Sequence, residues 1–86
     1  MIKKFTDSAW DDYQYWLEND KKLLKRINRL IAEIDRDPCG GLGKPESLKW
    51  DFNGLWSRRI DSKHRIVYAV DNGEILFVSL RYHYEK

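Results

Sequence analysis

A change of hydrophobic rhythm at residues 37–45 constrains this chain more than any other feature. Before the break, Leu23, Leu24, Ile27, Leu30, Ile31 and Ile34 recur at intervals that gather apolar side chains on one face of an α-helix. After it, Leu55–Ile60, Arg65–Val70 and Glu74–Leu80 are rich in β-branched and aromatic residues, as strands are. Between them runs Asp37-Pro38-Cys39-Gly40-Gly41-Leu42-Gly43-Lys44-Pro45, whose three Gly and two Pro cannot continue a helix. Asp61-Ser62-Lys63 and Asp71-Asn72-Gly73 separate the strands, so consecutive hairpins are expected.

Upstream, Ala9, Trp10, Tyr13, Trp16 and Leu17 mark the apolar face of an earlier helix. Thr6-Asp7-Ser8 supplies capping chemistry, with Ser8 and Asp11 spaced as an acidic variant of the capping box. Asn19-Asp20 interrupts that helix and caps the next, and Ile2–Phe5 reads as a first strand. The predicted order is β-α-α-β-β-β in one domain spanning residues 1–86. The expected class is α+β, with two helices on one face of a small antiparallel sheet and the other face left for function.

Charge is high but nearly balanced, sixteen Lys and Arg against fourteen Asp and Glu, which excludes a purely electrostatic binder. Residues 44–65 nonetheless carry six basic side chains against three acidic ones, a local basic patch. The polar face of the second helix holds Lys21, Lys22, Lys25, Arg26 and Arg29, either a solvated surface or a contact for nucleic acid or an acidic partner. A single cysteine, Cys39, excludes an internal disulfide and a cysteine zinc site. Two His and scattered carboxylates have no ligand spacing, so neither metal nor cofactor is expected. The N-terminus lacks the apolar run of a secretory signal, and no stretch has membrane-spanning length; the expected location is cytoplasmic.

Strand parity locates the candidate site. Simple alternation along the last strand places Ile75, Phe77, Ser79, Arg81 and His83 on one face. Leu76, Val78, Leu80, Tyr82 and Tyr84 fall on the other, which should pack on the helices. Arg65 shares a face with Val67 and Ala69. A two-residue Asn72-Gly73 turn would put Arg65 across from Leu80. A three-residue Asp71-Asn72-Gly73 turn would put it across from Ser79, the parity that an active-site reading favours. Histidine suits acid catalysis near neutral pH, arginine offers a fork to phosphate oxygens, Glu46 is a candidate base and Tyr84 a stacking platform for RNA. Taken singly, each is more readily an ordinary surface or packing residue.

The combination is more specific. Trp10-Asp11-Asp12-Tyr13, Gly43-Lys44-Pro45-Glu46-Ser47-Leu48-Lys49, Trp56-Ser57-Arg58-Arg59-Ile60, His64-Arg65-Ile66-Val67-Tyr68 and Arg81-Tyr82-His83-Tyr84 occur together. Along its whole length the chain resembles the YoeB toxins, a branch of the RelE superfamily of bacterial mRNA interferases. The resemblance implies a metal-independent, ribosome-dependent endoribonuclease that cuts mRNA in the decoding site and inhibits translation. It further implies a homodimer neutralised by a YefM-like antitoxin, with DNA contacted only through the antitoxin complex. By motif, Glu46 matches the general base, His83 the general acid, Arg65 the phosphate-stabilising residue and Tyr84 the substrate-orienting aromatic. Lys49, Arg59 and Arg81 match RNA-contacting positions. Family members end at or near the final Tyr, whereas Glu85 and Lys86 follow it here. Two other readings remain open: a gyrase-directed ParE-like toxin on the same scaffold, and a plain RNA-binding or repressor module using the basic helix face.

Overall fold

A computed structural model gives the fold and describes residues 1–38, 40, 41, 43, 45–48 and 54–82. Strand β1 (Ile2–Phe5) leads into helices α1 (Asp7–Asn19) and α2 (Lys21–Arg36). Strands β2 (Glu46–Leu48), β3 (Leu55–Arg59), β4 (Arg65–Asp71) and β5 (Glu74–Ser79) follow. The five strands form one sheet in the order β1-β5-β4-β3-β2. The α+β class and the element order are as expected. Two details were not anticipated: Glu46 starts a short strand paired to β3, and β1 runs parallel to β5, making the sheet mixed.

Packing follows the helix periodicity. Leu24, Ile27, Leu30 and Ile34 of α2 are buried, with Leu23 and Ile31 at the margin. They meet Ala9 and Trp16 of α1 and the sheet residues Ile66, Tyr68, Ile75 and Phe77. Burying each such aliphatic chain contributes about 1.5–3 kcal/mol, which is how a short chain supports two layers. Two members of the expected α1 face depart from it. Trp10 is 51% exposed, stacked on Tyr13, and Leu17 is 41% exposed.

One of the two helix caps differs in detail from expectation. Thr6, rather than Ser8, caps α1: its Oγ1 accepts from the Ala9 N–H at 3.0 Å and donates to the Val78 carbonyl at 3.0 Å. Asp20 caps α2 as anticipated, accepting from the Leu23 N–H at 3.0 Å.

Alternation along β5 fails in an informative way. Ile75 and Phe77, expected on the open face, are fully buried against the helices, and Leu76 takes the open side. The β4–β5 turn is the two-residue Asn72-Gly73 form, with Asp71 across from Glu74 and φ values of 48° and 75°. The three-residue turn favoured by the site reading is therefore wrong. A register shift follows: Tyr68 pairs with Phe77 but Val67 pairs with Ser79, leaving Val78 as the extra residue of a β-bulge. Beyond the bulge, Ser79 regains the open face and Leu80 the core, as expected for those two residues.

Candidate functional site

The face turned away from the helices, at the β2–β3–β4 end of the sheet, carries a group of polar residues. Glu46 lies across from Ser57, Ser57 from Val67, and Arg59 from Arg65. Directly opposed residues of an antiparallel pair project to the same face, so Glu46, Ser57, Arg59 and Arg65 share one. Glu46 and Arg59 are exposed, Arg65 is half-buried and Ser57 is buried. The Arg65 guanidinium donates to Ser57 Oγ at 3.1 Å, which fixes its direction across the sheet. Like charges at directly opposed positions of a sheet disfavour each other, and an anion lying between the two arginines would relieve that.

The loop that delivers Glu46 is held from beneath. Arg58 points into the core and is fully buried. It donates to Tyr68 Oη at 3.1 Å and to the Asp37 carbonyl, while Tyr68 Oη donates to the Pro38 carbonyl at 2.6 Å. Gly43 accepts the Arg59 N–H at 2.8 Å, laying the loop along β3. Its φ of +89° suits glycine, and a Cβ there would come within 2.8 Å of Leu30.

The other side of the site is approached by the end of β5. Continuing the Val67–Ser79 register brings the chain at Arg81 alongside Arg65, and the Arg65 N–H donates to the Tyr82 carbonyl at 3.1 Å. The bulge thus restores the parity that the turn alone would have lost. The Arg81 side chain, however, lies 3.5 Å from the centre of the Tyr15 ring on α1 and 4.7 Å from that of Tyr82. The guanidinium is engaged there rather than beside Arg65. Helix α1 secures this segment: Asp12 accepts the Leu80 N–H at 3.0 Å, and Trp16 Nε1 donates to the Leu80 carbonyl at 2.9 Å.

Of the expected site residues, the structure brings together Glu46, Arg59 and Arg65 and places Arg81 against α1. Lys49, His83 and Tyr84 lie outside the described residues. Sequence reasoning missed Ser57, Arg58 and His64. Arg58 had a signal, since strand alternation puts it on the same side as Trp56 and Ile60. Arg26, taken with the solvated face of α2, donates instead to the Ile60 carbonyl at 2.6 Å. Among the described residues no cluster of His, Cys, Asp and Glu is arranged to hold a metal, and no helix is long and apolar enough to cross a membrane.

Fold and face define a two-layer α+β protein with a carboxylate and two opposed arginines on the sheet face turned away from the helices. The chain belongs to the YoeB-like toxins of bacterial type II toxin-antitoxin systems, whose family model matches residues 5–84. The YoeB toxin of Streptomyces coelicolor is 56% identical over 80 residues, covering 93% of this chain and 95% of the relative. A YoeB/ParE toxin from Agrobacterium tumefaciens superposes with a TM-score of 0.94 at 44% identity, over 98% of this chain and 100% of that one. The YoeB dimer from Staphylococcus aureus superposes with a TM-score of 0.90 at 46% identity, over 98% of each chain. YoeB in its heterotetrameric complex with YefM, from the same organism, gives 0.89 at 46% identity, again over 98% of each chain.

Proposed function

We propose that this toxin is a metal-independent endoribonuclease that cleaves mRNA on the ribosome. The observation that carries this reading is the directly opposed Arg59–Arg65 pair on the same sheet face as Glu46. Two arginines at directly opposed positions of one sheet face favour an anion such as a phosphodiester, and the Glu46 carboxylate on the same face supplies a base.

In the proposed reaction, Glu46 takes the proton of a ribose 2′-hydroxyl, whose oxygen attacks the adjacent phosphorus. The P–O5′ bond breaks as His83 protonates the leaving oxygen, giving a 2′,3′-cyclic phosphate and a 5′-hydroxyl. Arg65, oriented by Ser57, and Arg59 stabilise the charge gathering on the phosphoryl oxygens. Tyr84 orients the substrate, and Lys49 and Arg81 contribute RNA contacts. The toxin acts in the cytoplasm, forms a homodimer and is neutralised by a YefM-like antitoxin, in keeping with the S. aureus dimer and YoeB-YefM assemblies.

The test is to map mRNA 5′ ends after adding toxin to a translation extract, with and without ribosomes. New ends should require ribosomes and be lost in Glu46→Ala and His83→Ala. Cleavage undiminished in both variants, or gyrase inhibition without any RNA cleavage, would overturn the proposal.

A further inference from the structure

We infer that His64 is a positioning residue for the C-terminal catalytic segment, acting through the backbone of Tyr82. The inference rests on the reading of His83 and Tyr84 given above. His64 Nδ1 accepts the Tyr82 N–H at 2.8 Å, so the peptide between Arg81 and Tyr82 is tied to an imidazole in the turn just before β4. Tyr82 has φ of 61°, a left-handed conformation that bulky side chains adopt only where their surroundings impose it. The surroundings do so here. Beyond the His64 bond, the Tyr82 carbonyl accepts from Arg65 and its hydroxyl accepts from Arg81 at 2.8 Å. The residue through which the chain enters His83 is thereby specified at its N–H, its carbonyl and its ring.

The imidazole is itself held on several sides. Its ring stands edge-on to Trp16, 4.8 Å between centroids, and lies 5.5 Å from the Tyr82 ring. Its backbone is fixed by the β3–β4 turn: Asp61 Oδ1 accepts the His64 N–H at 2.6 Å, and the His64 carbonyl accepts from Ile60 at 2.9 Å. An acceptor at Nδ1 requires the tautomer with its proton on Nε2. Phenylalanine would keep the ring contact with Trp16 and lose the acceptor. Asparagine would restore an acceptor near the Nδ1 position.

The experiment measures initial rates of mRNA cleavage against the concentration of programmed ribosomes, together with thermal melting. His64→Phe should lower kcat about tenfold to hundredfold, the scale of a small misplacement of a reacting group, while KM stays within about twofold. His64→Asn should recover most of kcat. Because His64 acts through His83, the double variant His64→Phe, His83→Ala should be no slower than His83→Ala alone. Should His64→Phe fail to fold, His64→Gln, whose acceptor sits one methylene too far, replaces it with the same expectation. Wild-type kcat in the acceptor-less variant, a loss confined to KM, or an additive double variant overturns the role of His64. If His83→Ala retains full cleavage, the catalytic reading falls and this inference with it. If His83→Ala is inactive while His64→Phe is fully active, only the role of His64 falls.

Discussion

Replacing Arg58 by methionine tests how the site's carboxylate is held. Methionine fills similar volume and carries no donor, so the change removes the bonds to Tyr68 Oη and to the Asp37 carbonyl with little cavity. Hydrogen bonds from a charged donor contribute about 1.5–3 kcal/mol each, so losing the two costs about 3–6 kcal/mol. Against this, removing a fully buried charge recovers part of its desolvation cost. Weighing the two, Arg58→Met should lose about 2–4 kcal/mol, a large share of the roughly 4–13 kcal/mol expected for a chain of this length. In urea, with a slope of about 1 kcal/mol/M for so small a protein, the midpoint should fall by about 2 M or more. Tyr68→Phe removes the hydroxyl that joins Arg58 to Pro38, so the two substitutions together should cost less than their sum by about 1 kcal/mol. Cleavage activity should fall alongside, because the same bonds anchor the start of the loop that ends at Glu46. A methionine variant as stable as the parent, or strict additivity with Tyr68→Phe, would refute the reasoning.

Three other outcomes follow from local geometry. Thr6→Ala removes both a helix cap and the partner of the Val78 carbonyl, so urea unfolding should register a loss of about 1–2 kcal/mol; an unchanged midpoint would deny Thr6 that dual role. Gly43→Ala should cost well over 2 kcal/mol, since its Cβ meets Leu30 at 2.8 Å and the backbone is left-handed. Gly73→Ala, also left-handed but in open space, should cost only about 1 kcal/mol, and equal melting of the two would contradict this. Burial pushes the Asp61 carboxyl up, but bonds from the His64 and Lys63 N–H groups outweigh it and hold its pKa below the usual value. A depressed carboxylate stabilises the fold above its unfolded pKa of about 4, and that contribution is lost as pH falls through the lower folded value. Asp61→Asn should therefore be less stable than the parent at pH 7 and approach it in acid; a difference independent of pH would refute the assignment.

Much of this architecture was legible because burial imposes period on sequence. The run from Leu23 to Ile34 forms the helix it predicts, and the hairpin strands fall within a residue of their expected limits. Glu46, Arg59 and Arg65 meet because motif and strand pairing point to the same sheet face. What escaped depends on contacts distant in sequence. Nothing in Ile2–Phe5 says that it will pair parallel to β5, and nothing local marks Trp10 and Leu17 as exposed. The bulge at Val78 is a tertiary feature: the cap of another element, Thr6, satisfies its carbonyl. His64 looks like a surface polar residue until the elements around it are assembled, whereas strand alternation already placed Arg58 on the side of Trp56 and Ile60.

The bulge has a thermodynamic consequence. Before Val78, β5 is tied into the sheet by its ladder to β4 and by parallel pairing with β1. After it, residues 79–82 are held mostly by individual bonds to Asp12, Trp16, His64 and Arg65. The interruption acts as a fuse between two cooperative units. Opening the later unit costs those few bonds and the packing of Leu80, and leaves Ile75, Phe77 and Tyr68 in place. Opening residues 79–82 should therefore cost a fraction of the free energy of global unfolding, and their closing needs no refolding of the scaffold beneath.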